Sequence, residues 1–222
     1  KETKQSIFQN NQASLKLLQA EQIPITILDR SSPGKGWPNR KGSVGAARKE
    51  IMDYIAGQAR KKDIILSMDA DTHFTAEYLT SVNQIFTKNP DIAALSNPYY
   101  HQTTGNIPAD RAVLRYEIYM RNYALNMFRI NSPYRFTALG SAIATTKEMY
   151  DRIGGMIPKK SGEDFYFLQK MVKSGKLCLH NEELVYPAAR FSDRVFFGTG
   201  PAMIKGNQGD WSSYPIYAAE LF

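Results

Sequence analysis

Cysteine, histidine and long apolar runs are scarce in this sequence, and each shortage excludes a class of protein. Cys178 is the only cysteine among 222 residues, which excludes an internal disulfide and zinc sites of the CxxC type. The three histidines lack the spacing of metal ligands. No apolar run approaches the roughly 20 residues of a membrane span. We therefore expect a reducing compartment, the cytoplasm, with the inner face of a membrane as an alternative location.

Charge and size narrow the choice further. Lys and Arg total 28 against 21 for Asp and Glu, which gives a net charge of +7. A basic surplus favours an anionic partner, whether a nucleotide, a nucleic acid or a membrane surface. Hydrophobic residues make up 43% of the chain, enough for a substantial core. The length fits one large domain or two small ones.

Helical and extended patterns alternate along the first half of the chain. Apolar residues recur at helical spacing in residues 4–21, 44–59 and 76–89. Short apolar or β-branched runs occupy residues 23–32, 63–68 and 91–97. This alternation predicts an α/β fold with a mostly parallel sheet. For the helix over 44–59, the predicted apolar face is Ala47, Ile51, Tyr54 and Ile55.

Two aspartates follow the predicted strand over residues 63–68. Asp69 and Asp71 are two residues apart, so on an extended chain their side chains point the same way. In parallel α/β sheets, ligands bind beyond the carboxyl ends of the strands. We therefore expect both aspartates at the carboxyl end of a central parallel strand, facing an open cleft. Two carboxylates with water suit Mg²⁺ or Mn²⁺, which typically add phosphate oxygens as further ligands. The alternative is structural, with Asp69 ending the strand and Asp71 capping the next helix.

A second acidic pair begins a later helix. Glu163 and Asp164 open the segment over 161–176, whose predicted apolar face is Phe165, Leu168 and Val172. A structural alternative exists here too, because Ser161 and Asp164 match a capping box. Before this helix, residues 136–156 are typical of a small-residue strand, a helix and a Gly-Gly stop.

In their order and spacing, these segments resemble the family 2 glycosyltransferases. The segments are ILDRSS, VGAARKEIMDYIA, ILSMDADTHF, LGSAIATTKEMYDRIGG and GEDFYFLQKMVKSG. They span residues 23–176, most of the chain. The resemblance implies a GT-A fold, a Rossmann-like sheet flanked by helices. It implies one domain over 1–222, with a nucleotide-binding part at about 1–97 and an acceptor-binding part at about 98–222.

The resemblance also assigns roles to residues. Asp29 resembles the acidic residue that contacts the base or ribose, and Arg48 the basic residue near the base. Asp69 and Asp71 match the D-x-D that holds ribose, diphosphate and the divalent ion. Asp164 matches the second acid of the ED pair, the catalytic base.

Further positions are expected around the acceptor and the diphosphate. Gly140 and Ser141 fall where the acceptor pocket of the family lies, and Glu163 is beside the base. In the glycine-rich tail over 189–211, Arg190 and Arg194 are candidates for a loop that folds over the diphosphate, with a solvated surface loop as the alternative.

Two features depart from the family pattern. Family members begin with an apolar strand that ends in a Pro-x-Tyr-Asn-like motif, whereas this sequence opens with the helix that should follow it. We therefore expect the natural protein to extend beyond the first residue. The usual DDGS motif is DRSS here, so Arg30 stands at an acidic position.

Taken together, these features predict an inverting glycosyltransferase in polysaccharide or glycolipid synthesis. Its donor would be a UDP- or GDP-type sugar, its cofactor Mn²⁺ or Mg²⁺, and its acceptor a glycan or a lipid-linked molecule. Asp164 would accept the proton of the attacking hydroxyl as general base, and direct displacement with a single base inverts the anomeric configuration. Burial or Glu163 would have to offset the helix N-terminus, which weakens a base.

Two other classes stay open. A sugar-phosphate nucleotidyltransferase also uses an α/β domain and acid-bound Mg²⁺, although the sequence contains no G-x-x-x-x-G-K-[ST] loop. A nucleic-acid-binding module is the non-enzymatic alternative, because Arg111, Arg115, Arg121 and Arg129 are interleaved with tyrosines. We predict that the helix over 109–129 covers the acceptor side of the cleft, with its apolar face packed on the domain. Peripheral membrane contact is the rival interpretation.

Overall fold

The computed structural model describes residues 5–38 and 42–222, which fall into two compact units. The first unit ends at Ser43 and contains helix α1 (Gln5–Ala20), which confirms the predicted helix within the described residues. Residues 21–30 form no strand, so the strand predicted over 23–32 is wrong. A strand exists only with a hydrogen-bonded neighbour, which local β-propensity cannot supply. The single domain over 1–222 stays a prediction.

The second unit, Val44–Phe222, is a mixed α/β structure. Its helices are α2 (Val44–Gln58), α3 (Tyr78–Lys88), α4 (Ile107–Arg129), α5 (Lys147–Arg152), α6 (Glu163–Ser174) and α7 (Thr199–Asn207). Its strands are β1 (Ile64–Ser67), β2 (Thr72–Phe74), β3 (Ile92–Ser96), β4 (Ile143–Thr146), β5 (Lys176–Cys178) and β6 (Val185–Pro187). A short 3₁₀ helix, Ala219–Leu221, lies near the carboxyl end.

The main sheet is small and mixed. Its strand order is β1-β4-β3-β5, and β4 runs antiparallel to both of its neighbours. Strands β3 and β5 are parallel, so three of the four strands point in one direction. The prediction that the two aspartates follow a central strand is wrong, because β1 is an edge strand among the described residues. The sequence shows that β1 is apolar but not which strand pairs with it.

Helices cover both faces of this sheet. On one face, Met52 of α2 and Leu168 and Met171 of α6 join the core with Ile143 of β4. On the other face, α3 inserts Tyr78, Val82 and Phe86. In β1 and β4, alternate side chains enter opposite cores because successive residues of a strand point to opposite faces. In β3, Ala93 and Ala94 enter the same core, next to an irregularity in the pairing with β5. The strand ends that border the cavity described below are therefore held from both sides.

Two helix faces differ from the prediction. In α2 the buried positions are Gly45, Met52 and Ala56, whereas Ile51, Tyr54 and Ile55 are exposed. In α6, Leu168 is buried as predicted, but Phe167 and Met171 join it and Phe165 is exposed. Both stripes of each helix have helical spacing, so periodicity alone could not choose between them.

Helices α4 and α7 pack against each other through small residues. Ala109, Ala112 and Val113 of α4 form a core with Met203 of α7. Gly206 of α7 permits this approach, because a β carbon there would lie 2.7 Å from the Cβ of Ala112. The tail predicted as a loop over 189–211 is therefore partly helical. Within residues 5–38 and 42–222, no helix is both long and apolar enough to span a membrane.

Candidate active site

A cavity of about 610 Å³ opens in the second unit at the end of the main sheet. Its walls come from the start of α2, the turn after β1, helix α4, the start of α6 and the chain from residue 187 to residue 200. Every residue predicted for the site lines it except Asp29. These residues are Arg48, Asp69, Asp71, Gly140, Ser141, Glu163, Asp164, Arg190 and Arg194. The structure thus brings together positions that are up to 146 residues apart in the chain, from 48 to 194.

Asp69 and Asp71 lie in a turn, not on an extended strand. The backbone N–H of Thr72 donates to the Asp69 carbonyl oxygen at 3.1 Å, which closes a four-residue turn between β1 and β2. The turn is needed because β1 belongs to the main sheet, whereas β2 pairs with β6 in a separate two-stranded sheet. The extended geometry expected from the sequence is wrong, although both side chains still line the cavity.

Arg48 holds one wall of the cavity. Its Nη2 donates to Asp69 Oδ1 at 2.6 Å, and its Nη1 lies 3.8 Å from Glu163 Oε1. The guanidinium packs on Gly140, where a β carbon would overlap it. Nη1 is buried and has no hydrogen-bond partner in the described part of the chain. This donor is therefore available to a ligand in the cavity.

Arg190 binds the second aspartate. Its Nε lies 2.7 Å from Asp71 Oδ2, and both side chains keep substantial exposure to solvent. Arg194 lines the same region and donates from Nε to Ser192 Oγ at 3.3 Å. Two guanidinium groups beside the cavity suit oxyanions, which accept paired hydrogen bonds from arginine.

A divalent cation fits this donor set only in combination with a substrate. Across residues 5–38 and 42–222, no group of three or more His, Cys, Asp or Glu side chains is placed to hold a metal ion. Asp69 and Asp71 offer carboxylate oxygens to the cavity, and Mg²⁺ is often held by one or two carboxylates plus substrate phosphates. Both carboxylates now pair with arginines, so an ion would compete with Arg48 and Arg190.

Glu163 and Asp164 begin α6 without a capping box. The N-cap residue is Gly162, with φ of 72°, and no side chain caps the helix. The hydroxyl of Ser161 instead donates to the Phe197 carbonyl oxygen at 3.3 Å. The structural alternative proposed for Ser161 and Asp164 is therefore wrong. Asp164 faces the cavity with only a local hydrogen bond, from the backbone N–H of Phe165 at 2.8 Å.

Burial has the largest effect on the pKa of Glu163 and of Asp164. It raises the pKa of Asp164, and the charge of Arg48 opposes this effect without cancelling it. Burial and then the charge of Asp164 raise the pKa of Glu163, again against Arg48. The expected weakening of the base by the helix N-terminus is thus outweighed. A carboxylate with a raised pKa is the better proton acceptor.

Ser141 offers another polar group to the cavity. Its Oγ is buried and has no hydrogen-bond partner among residues 5–38 and 42–222. The adjacent Gly140 carbonyl oxygen is occupied, because Ser67 Oγ donates to it at 2.7 Å. Buried hydroxyls normally have a partner, so a ligand is a natural partner for Ser141.

Tyrosines form the opposite wall, which sequence reasoning did not identify. Tyr116, Tyr119 and Tyr123 of α4 line the cavity together with Tyr99 and Tyr214. The rings of Tyr116 and Tyr119 lie 5.2 Å and 5.4 Å from that of Tyr214. Burial raises the pKa of Tyr116 and Tyr119, which keeps both phenols neutral. The i, i+3, i+7 spacing of the three α4 tyrosines could have indicated this face.

A buried ion-pair network supports this wall. His101 donates from its backbone N–H to Glu117 Oε1 at 2.7 Å, and its Nδ1 lies 2.8 Å from the same oxygen. Arg121 Nη1 donates to Glu117 Oε2 at 2.8 Å, and its Nη2 to the Tyr99 carbonyl oxygen at 2.6 Å. Burial disfavours the Glu117 charge, but these bonds outweigh it and hold its pKa below the usual range. Arg121 is therefore a structural residue.

Asp29 belongs to the first unit and is described with it. Its Oδ1 accepts from the backbone N–H groups of Ser31 and Ser32 at 2.9 Å and 3.0 Å. Hydrogen bonds from Ser32 and Ser31 hold the pKa of Asp29 below its usual range. The nucleotide contact expected of Asp29 stays a prediction.

Comparison with protein-family models and with curated proteins finds no match to this chain. The functional argument therefore depends on the residues of the cavity.

Proposed function

We propose that this protein is an inverting glycosyltransferase of the GT-A type, and that it moves a sugar from a nucleoside-diphosphate sugar to an acceptor hydroxyl. The observation that carries the proposal is the cavity itself. A D-x-D pair, an acid with a raised pKa and two arginines that suit phosphate all line it. These are the groups that the transfer requires, and they come from separate parts of the chain.

Asp164 would act as the general base. A sugar hydroxyl is a poor nucleophile until it loses its proton, and Asp164 lies at the cavity wall where an acceptor would approach. Its raised pKa increases its affinity for that proton. Proton transfer to a positioned general base typically raises the rate 10²–10⁴-fold. Direct attack on the anomeric carbon, with this one base, inverts its configuration.

Arg190, Arg194 and Arg48 would hold the donor. Arg190 and Arg194 carry hydrogen-bond donors for the diphosphate oxygens. Arg48 keeps Asp69 in place, and its Nη1 offers a further hydrogen bond. Asp69 and Asp71 would hold Mn²⁺ or Mg²⁺, which neutralises charge on the departing diphosphate when bound.

The tyrosine wall would bind the acceptor. Tyr116, Tyr119 and Tyr214 present ring faces and neutral hydroxyls, which suit the apolar faces and the hydroxyl groups of a glycan. A lipid-linked acceptor of polysaccharide or glycolipid synthesis fits the same wall.

A panel of UDP- and GDP-sugars tests the proposal. The full chain is incubated with each donor and Mn²⁺, and release of nucleoside diphosphate is measured with and without simple glycan acceptors. We expect release from a small subset of donors and none above background from Asp164→Asn. If no sugar nucleotide is turned over, while nucleoside triphosphates raise the melting temperature and react with a sugar phosphate, the protein is a nucleotidyltransferase instead.

A further inference from the structure

The outward face of α4 carries large apolar side chains in solvent. Their exposed fractions are 71% for Ile107, 45% for Leu114, 54% for Ile118 and 59% for Leu125. Spacings of seven, four and seven residues place all four in one stripe along the helix. A surface helix of a globular protein normally turns its apolar stripe toward the core. Here the buried side consists of Ala109, Ala112, Val113, Glu117 and Asn126. The prediction that the apolar face of this helix packs on the domain is therefore wrong, and the exposed stripe needs another explanation.

Arginines are interleaved with this stripe. Arg111 and Arg129 fall on the same side of the helix, and Arg115 borders it. Between Arg111 and Arg129 the one acidic residue is Glu117, which is buried and bonded to His101 and Arg121. The other acid of α4 is Asp110, whose carboxylate accepts hydrogen bonds from the backbone N–H groups of Thr104 and Gly105. The stripe is therefore apolar, with arginines in excess over acids.

A tryptophan extends the stripe beyond α4. The ring of Trp211 lies 5.9 Å from the Arg111 guanidinium carbon. With Leu114, Arg115 and Ile118, these two residues line a shallow open groove. Tryptophan is enriched where membranes meet water, because its ring is apolar and its N–H is polar. Arginine, tryptophan and exposed aliphatic side chains on one surface are the composition of interfacial helices.

We infer that this face of α4, with Trp211, docks on an anionic lipid surface. The helix would lie in the plane of the interface, with its aliphatic side chains among the acyl chains and Arg111 and Arg115 on lipid phosphates. Its 23 residues extend about 35 Å along that plane. The charge pattern selects this occupant over a second copy of the chain, because two such basic faces would repel each other.

Docking would also position the cavity. Tyr116, Tyr119 and Tyr123 occupy the inner side of α4 and line the cavity, whereas the stripe occupies the outer side. A lipid-linked acceptor could then reach the tyrosine wall from the membrane. This consequence depends on the proposed function, whereas the docking itself does not.

Flotation with lipid vesicles tests the docking without any turnover assay. The full chain is mixed with vesicles of phosphatidylcholine alone or of equal parts phosphatidylcholine and phosphatidylglycerol. We expect flotation with the anionic vesicles only, and release at high salt because the arginine–phosphate attraction is screened. Arg111→Glu should weaken partitioning about tenfold or more, and Leu125→Asn should weaken it by about the same factor.

Matched controls come from the same chain. Leu79 on α3 is 57% exposed, close to Leu125, and Arg152 on α5 is exposed and lies outside the stripe. Leu79→Asn and Arg152→Glu should float like the unaltered protein, and melting curves establish that all four variants are folded. Equal flotation of the α4 variants and the controls would overturn the inference. So would flotation that ignores lipid charge, or a dimer or nucleic-acid complex that the α4 variants abolish.

Discussion

The guanidinium of Arg48 lies directly against the backbone of Gly140, so that a β carbon at position 140 would overlap Nη1. Neither partner can move freely. Ser67 Oγ donates to the Gly140 carbonyl oxygen at 2.7 Å, and Arg48 is bonded to Asp69 at 2.6 Å. Glycine at position 140 is therefore what allows Arg48 to reach the D-x-D pair across the cavity wall.

Gly140→Ala should displace Arg48. The charge-assisted bond to Asp69 would be lost or lengthened, and such bonds are worth about 1.5–3 kcal/mol. We expect nucleoside-diphosphate affinity to fall about tenfold or more, measured by calorimetric titration. Gly57→Ala in the same helix as Arg48 is the control, because nothing lies within 4 Å of its added carbon. Unchanged affinity in Gly140→Ala would mean that Arg48 does not organise the site.

In the second unit the sequence predicted every α-helix except α7, and it predicted strands β1, β3 and β4, because each of these has a clear local pattern. It did not predict β2, β5 or β6, which are three residues long. It failed where the outcome depends on distant partners. Residues 23–32 have the composition of a strand but form none, and β1 is an edge strand, not a central one. In α2 the exposed stripe of Ile51, Tyr54 and Ile55 is as periodic as the buried one. Pairing and packing decide these features, and neither is encoded in a short window.

The candidate site was predictable to the extent that its residues follow strands or begin helices. Asp69 and Asp164 were identified in this way, and both line the cavity. The hydrogen bond between His101 and Glu117 was not, because 16 residues separate them and neither has a motif. Arg121 looked like a nucleic-acid contact, but its guanidinium is bonded to Glu117 and to the Tyr99 carbonyl oxygen.

Removal of divalent metal should weaken donor binding through Asp71. In the unaltered protein we expect a chelator to reduce nucleoside-diphosphate affinity about tenfold, since Mg²⁺ and Mn²⁺ bridge carboxylate and phosphate oxygens. In Asp71→Ala the chelator should have no effect, and transfer should be lost. Some metal-independent binding should persist, because Arg190 loses its 2.7 Å ion pair and is free to bind phosphate.

The control for this experiment is Asp91→Ala. Asp91 is exposed, lies outside the cavity and is 3.9 Å from Lys176. The nucleotide affinity of the Asp91→Ala variant should depend on metal as it does in the unaltered protein. Chelation that leaves the unaltered protein's affinity unchanged would remove the cation from the proposed mechanism.

Asp164→Asn should separate catalysis from stability. Asparagine keeps the shape of the side chain but cannot accept the acceptor's proton, so transfer should fall about 10²-fold or more while donor affinity stays within a few-fold. Burial raises the pKa of Asp164, which means that the fold disfavours its charged form. Above that raised pKa the charged carboxylate lowers the free energy of unfolding, so the neutral asparagine should melt at a higher temperature there.

The sign of the pH dependence follows from the same pKa. Between the ordinary pKa of aspartate and the raised pKa of Asp164, the folded state binds more protons than the unfolded state, so stability falls as pH rises. Above the raised pKa, the loss of stability caused by the charge of Asp164 is constant, and below the ordinary pKa it disappears. The melting advantage of Asp164→Asn should therefore be full above the raised pKa and shrink as the pH falls toward the ordinary one. The transfer rate of the unaltered protein should decline through the same range, because the base becomes protonated.

Asp63→Asn provides a control of opposite sign. The backbone N–H of Arg60 donates to Asp63 at 2.9 Å, and this bond, followed by the side chain of Arg60, holds the pKa of Asp63 below its usual range. The stabilisation that Asp63 gives is present above the ordinary pKa and is lost as the pH falls through the lowered one. Asp63→Asn should thus lower the melting temperature at neutral pH and spare turnover. If Asp164→Asn instead lowered the melting temperature and kept near-normal turnover, Asp164 would be a structural residue and the proposed base would have to be abandoned.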